Sequence, residues 1–148
     1  MTRINVLLIL AVTAQACGPS PTTPSASVDT FLTGTWSGTM TVSLNGLPAV
    51  TGPTTWQFQS VPQTAGSTYR ATIQSQNPSL LISTTGSTAL TPPSTPPAQI
   101  STQGDYQSPR GCRGTFGSFG VVDERRLTAT FEGVDCGQTF EGTVELTR

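Results

Sequence analysis

From Gly34 to Leu44 the chain alternates with period two: Trp36, Gly38, Met40, Val42 and Leu44 fall on one face, Thr35, Ser37, Thr39, Thr41 and Ser43 on the other. That period belongs to a strand with one buried face, so the segment predicts a half-buried β-strand. Near the other end Phe140, Gly142, Val144 and Leu146 alternate with Thr139, Glu141, Thr143, Glu145 and Thr147 and predict another. Thr54–Ser60 and Thr68–Ser75 alternate as well, and the turn-forming Pro62–Gly66 between them predicts a hairpin. Ser79–Ser83 predicts a short strand. Thr84–Pro97 follows as a long exposed loop, because its Pro92–Pro93 and Pro96–Pro97 pairs cannot donate to a ladder. Gln99–Gln107, Cys112–Val122, Leu127–Gly133 and Gln138–Thr147 bring the count to about eight strands.

No stretch keeps a helical period over ten or more residues, and the connections are too short for parallel crossovers. The expected fold is therefore all-β, an antiparallel meander. Such a meander closes into a small up-and-down barrel or flattens into a sandwich; the barrel is favoured because closure removes both exposed edges. A membrane-spanning barrel would turn its apolar face to lipid. Here that face is broken by Gly38, Gly104, Gly117 and Gly142 and has no aromatic girdles. Trp36, Met40, Trp56, Phe58, Tyr69, Ile73, Tyr106, Phe119, Phe131 and Phe140 are expected to converge on the interior, as a filled core or as the wall of a cavity for one small ligand. Tyr69 and Tyr106, with polar tips, and Trp56 and Trp36 are the candidate ligand contacts.

Gly34-Thr-Trp-Ser-Gly38 on the first strand resembles the Gly-x-Trp opening of lipocalins and the Gly-Thr-Trp opening of avidin-like barrels. In lipocalins that Trp plugs the closed end of the barrel and stacks with an Arg near the last strand. The resemblance implies the same plug for Trp36, with Arg148 in the matching position. The Thr-Asp-Tyr signature is replaced by Gly104-Asp105-Tyr106 and no C-terminal helix follows the strands, so the resemblance is to a generic lipocalin-like barrel.

At the N-terminal end Arg3 precedes the apolar Ile4–Ala14, which ends in Ala14-Gln15-Ala16-Cys17. A charged start, a short apolar run and a small-x-small site describe an export signal, expected over residues 1–16, too short to span a bilayer. Cys17 leads directly into Gly18-Pro-Ser-Pro-Thr-Thr-Pro-Ser-Ala-Ser27, an extended tether placed at residues 17–31, ahead of a barrel domain at 32–148. Signal, cysteine and tether together resemble bacterial lipoproteins. That resemblance implies cleavage before Cys17, lipidation of its thiol and attachment to the membrane, with Gly18 favouring the outer membrane. The usual Leu and small residue ahead of the cysteine are Ala14 and Gln15 here, which keeps open ordinary cleavage after Ala16 and secretion.

If Cys17 is lipidated, Cys112 and Cys136 remain as an even pair in an oxidising compartment, and a disulfide is the expected outcome. The two are equidistant from Glu124, and Asp123–Arg126 is a polar break between strand-like segments. A hairpin turning at Glu124 would set them opposite each other.

Composition narrows the chemistry. The chain has no histidine and no lysine, and without Arg3 six arginines face eight acidic residues, a net charge of about −2. No basic patch can grip phosphates, so nucleic acid is not an expected partner. The missing histidine removes Ser-His-Asp and Cys-His chemistry and the commonest metal ligand. The eight carboxylates fall in turns or on polar strand faces, where solvated surface is the expected role, and Arg70 points outward in the same way. The glycines of Gly111–Gly120 lie within a strand and are read as sites of curvature or bulging, not as a phosphate loop. No catalytic residue, metal or cofactor is expected. Two functions stay open: a lipid-anchored envelope protein holding a small apolar ligand in its barrel, and a structural or interaction protein with a solid core that works through its hydroxyl-rich outer face or its proline loop.

Overall fold

The computed structural model describes residues 31–61, 68–91 and 96–148. The expected export signal, Cys17 and the expected tether up to residue 30, the expected turn at Pro62–Gly66 and the Pro92–Pro93 pair lie outside the described residues. Eight antiparallel strands follow in order: β1 (Gly34–Leu44), β2 (Val50–Val61), β3 (Thr68–Asn77), β4 (Leu80–Thr91), β5 (Ala98–Gln107), β6 (Arg113–Val122), β7 (Arg126–Asp135) and β8 (Gln138–Thr147). Each pairs with its neighbours in sequence, and β1 pairs with β8 to close the barrel. The two terminal strands are thus joined along a register running from Ser37↔Thr147 to Leu44↔Phe140.

The turns follow local chemistry. Cys136 and Gly137 both have positive φ and form a two-residue turn between the paired Asp135 and Gln138, the backbone geometry that matches the twist of the strands it joins. Asn45 and Gly46, also at positive φ, turn the chain out of β1. Between β3 and β4, Asn77 accepts from the Ser79 N–H and donates through Nδ2 to the carbonyls of Met40 and Val50. One buried side chain thereby fastens three strands together.

Three expectations are corrected. Thr84–Pro97 is not a loop throughout, because β4 continues to Thr91. This stretch lacks apolar alternation, yet Thr84 and Thr88 still face inward and are satisfied there, Thr88 Oγ1 lying 2.8 Å from Thr102 Oγ1 and Thr84 Oγ1 donating to the Asp105 carbonyl. Hydroxyls bonded inside the barrel replace apolar contacts, and threonine suits strand backbone. In β6 the phase is shifted by one: Phe116 is buried and Phe119 is 54 % exposed, so Gly117 belongs to the outer face and not to the apolar one. The β6–β7 register centres between Glu124 and Arg125, with Val122 opposite Leu127 and Gly114 opposite Asp135. Cys112 and Cys136 are therefore one residue out of direct opposition.

The core is built of rings laid over glycines. Phe140 is the cross-strand partner of Gly133, Phe131 of Gly142 and Tyr106 of Gly114. A Cβ on Gly133 would lie 2.4 Å from the Phe140 ring, one on Gly142 2.5 Å from the Phe131 ring, and one on Gly114 2.3 Å from the Tyr106 ring. Phe116 stacks on Phe131 at 5.7 Å and meets Trp56 edge-on at 5.7 Å. Gly117 is the exception. Of the glycines in the described residues, it alone has neither a positive φ nor a contact within 3.4 Å of its missing Cβ, the nearest atom being 3.9 Å away.

Two substitutions separate these roles. Gly142→Ala places a methyl against the Thr41 carbonyl and the Phe131 ring and is expected to cost about 1–3 kcal/mol by overpacking. Gly117→Ala is expected to be neutral or to stabilise by up to about 1 kcal/mol, because a strand-interior glycine loses more backbone entropy on folding. Urea unfolding midpoints at constant slope check both.

Candidate functional site

The four side chains nominated as ligand contacts are all buried. Trp36 closes one end of the barrel: its Nε1 donates to the Leu32 carbonyl at 2.9 Å, and the Arg148 guanidinium lies over its ring, 4.9 Å from the centroid. Arg148 also donates to the carbonyls of Phe31 and Thr33, tying the entry of β1 to the exit of β8. Trp56 packs against Phe58 and Phe116 in the middle of the core. Tyr69 is fully buried on β3.

Tyr106 stands at the opposite end, where its hydroxyl donates to Asp135 Oδ1 at 3.1 Å. Asp135 is 3 % exposed, which corrects the expectation of a solvated carboxylate. Burial of this acid is met by the Tyr106 hydroxyl and by Arg110, whose Nη2 lies 3.1 Å from Oδ2. Beside them Cys112 and Cys136 form the expected disulfide, with 5.4 Å between Cα atoms. It closes a loop of 24 residues, worth roughly 3 kcal/mol in the chain-entropy treatment. Cys112, Cys136 and Asp135 bring their ligand-type atoms within 4.8 Å of one another. Both sulfurs are committed to the disulfide, however, and the carboxylate to Tyr106 and Arg110. Asn77 lies at the same end of the barrel, remote from Trp36. Two buried polar atoms, Trp56 Nε1 and Ser118 Oγ, have no hydrogen-bond partner in the interior.

Two adjoining hollows, of about 840 and 680 Å³, run across the outer face of β5, β6, β7, β8 and β1. They share five residues, Gln103, Gly117, Glu132, Glu141 and Ser43. These are successive cross-strand partners: Gln103↔Gly117, Gly117↔Glu132, Glu132↔Glu141 and Glu141↔Ser43. The larger hollow adds the next row toward the disulfide end, Asp105, Thr115, Val134 and Thr139; the smaller adds the row on the other side, Ser101, Phe119, Thr130, Thr143 and Thr41. A barrel surface is convex around its axis, so a hollow across five strands requires side chains to be missing from its floor. Gly117 supplies that gap at the centre.

No protein-family profile, curated protein or solved structure matches this chain. Its function is accordingly to be read from its own residues. Sequence reasoning found the plug at Trp36 and the disulfide but missed the trough, because the one-residue phase error in β6 turned Gly117 inward and Phe119 with it. The signal was present: Gly114, Phe116, Ser118, Gly120 and Val122 share one parity, and choosing that parity faces the outward row with Thr115, Gly117 and Phe119.

Burial, the Asp135 charge and the bond to Asp135 hold the Tyr106 hydroxyl above its ordinary value of 10.0, with Arg110 opposing. A group whose folded pKa is raised contributes stability that is complete below the unfolded value and is lost as pH rises past it toward the folded one. Stability is therefore expected to fall above about pH 10, and Tyr106→Phe is expected to reduce that slope while costing about 1–3 kcal/mol at neutral pH, because buried Asp135 Oδ1 loses its hydroxyl donor while Oδ2 keeps Arg110. Chemical unfolding across the alkaline range reads both.

Proposed function

We propose that this protein is an exported, lipid-anchored component of a bacterial cell envelope that acts by binding and not by catalysis. Its barrel would serve as a solid scaffold, and its outer trough as the contact surface. The single observation that supports this reading is the contrast between the two faces of the sheet. Inward side chains are taken up by rings packed over glycines and by closing both ends, whereas the outer face carries a hollow with a glycine that packing does not require. Export and anchoring are supported by Arg3, the apolar Ile4–Ala14, Cys17 and the proline-rich residues that follow. Attachment through acyl chains on Cys17 would be stable, each buried CH₂ adding about 0.8 kcal/mol. The absence of histidine and the engagement of Asp135 by its neighbours support a non-enzymatic role.

A second reading, a small apolar ligand held inside the barrel, is favoured by Trp56 Nε1 and Ser118 Oγ, since unpaired buried donors are uncommon. It requires Trp56 or Tyr69 to give way, because those side chains occupy the space a ligand would take.

Two measurements decide these points. Metabolic labelling with a palmitate analogue is expected to mark the wild type and not Cys17→Ala; equal labelling removes the anchor. An apolar dye whose emission rises in dry pockets is expected to show no saturable binding to the folded protein, and one-to-one saturable binding that is lost in a Ser118→Phe variant of unchanged stability would transfer the function to the interior.

A further inference from the structure

The outer trough has a chemistry of its own, and assigning it an occupant rests on the reading that it is the contact surface. Its central row places Glu132 and Glu141 directly opposite each other on β7 and β8. Both are exposed, and among the described residues no cation reaches either, the two ion pairs there being Arg110–Asp135 and Arg126–Glu145. Like charges set directly across a ladder destabilise it. Asp105 adds a third carboxylate in the next row, and neither hollow is lined by an arginine. Around this acidic centre the flanking rows are mostly serine and threonine, and each carries one exposed apolar side chain: Phe119, 54 % exposed, on one side and Val134, 37 % exposed, on the other. Gly117 opens the floor beside Glu132.

We propose that the trough binds an extended arginine-bearing segment of a partner protein, with a guanidinium bridging Glu132 and Glu141. Direct cross-strand partners hold their Cβ atoms about 5 Å apart, so two carboxylates in this register present oxygens to both edges of one planar fork. An arginine also carries an apolar stem that suits the Phe119 and Val134 walls, and a cationic face that stacks on an exposed ring. Other occupants fit less of the surface. A bare metal ion would use the carboxylates and leave Phe119 and Val134 without a partner, and an anionic lipid headgroup would be repelled. An amino sugar offers a C–H face for Phe119 and hydroxyls for the threonines, but its single ammonium is a point donor and lacks the planar fork that two facing carboxylates engage from both edges. Association of such a basic segment is steered by charge and weakened by salt.

The test uses the mature chain kept soluble by Cys17→Ala, and a fluorescent peptide that alternates arginine with valine. Fluorescence anisotropy is expected to show saturable one-to-one binding. Affinity should fall at least tenfold in Glu132→Gln/Glu141→Gln and in Gly117→Leu, and should stay unchanged in Glu124→Gln, which removes a charge at the exposed β6–β7 turn. Circular dichroism melting of Gly117→Leu is expected to match the parent, since the nearest atom to a Cβ there is 3.9 Å away and Gly117 borders the open hollow; if that variant melts early, Gly117→Ser serves instead with a smaller loss. No binding by the parent, equal loss in Glu124→Gln, or equally tight binding of a glucosamine oligomer overturns the basic segment as occupant. A photo-crosslinking residue at Thr115 tells that failure from failure of the contact surface itself. Crosslinks in the native envelope that Gly117→Leu abolishes keep the trough as the contact surface, while crosslinks that Gly117→Leu leaves unchanged overturn both.

Discussion

Everything in this fold depends on how little room an eight-stranded barrel encloses. Eight strands leave an interior just wide enough for side chains to fill, and this chain sends two tryptophans, two tyrosines and four phenylalanines into it. They fit because the residue directly across the ladder from a ring is so often glycine, as in Phe140 over Gly133, Phe131 over Gly142 and Tyr106 over Gly114. The ring then lies down along the sheet in place of the side chain its neighbour lacks. Packing density inside a protein leaves few alternatives, so the positions of the aromatics and the glycines are a single constraint expressed on adjacent strands.

Much of this was legible in the sequence. Period-two alternation in β1 and β8 gave their faces correctly, and short connections with no helical period gave an antiparallel meander. The need to remove edges gave closure. What alternation could not give was the phase of a strand with aromatics at both parities: β6 holds Phe116 and Phe119, three apart, and only the partner strands decide which one enters. Nor could it identify β4 beyond Ser83, where the burial of inward threonines is offset by hydrogen bonds to Thr102 and to the Asp105 carbonyl. Such bonds depend on β5, which is remote in sequence until the register is fixed. Asp135 was misread for the same reason, since its partners Tyr106 and Arg110 lie on the far side of the β6–β7 hairpin.

The two faces of the sheet solve opposite problems with the same residue. Inside, glycine makes room for a ring already present. Outside, at Gly117, the room is left open. Packing does not require the gap at Gly117, because a Cβ there meets no atom closer than 3.9 Å, and the residues around it do not neutralise one another. With Trp36 at one end, the Tyr106, Asp135 and Asn77 side chains buried at the other and rings between them, the outer face is where the protein can differ from a generic barrel.

The pairing of β1 with both β2 and β8 also has a mechanical meaning. Phe31 and Thr33 lie beside Arg148 at the end closed by Trp36, so load carried by the chain ahead of the barrel enters there. Such a pull draws β1 along its own length, between a ladder to β2 that runs from Gly34 to Val42 and one to β8 that runs from Ser37 to Leu44. Pulling in that direction shears both ladders at once and does not peel them bond by bond, and the hook of Arg148 over Trp36 takes the first strain. A barrel loaded through Phe31 would be strongest along the line of β1.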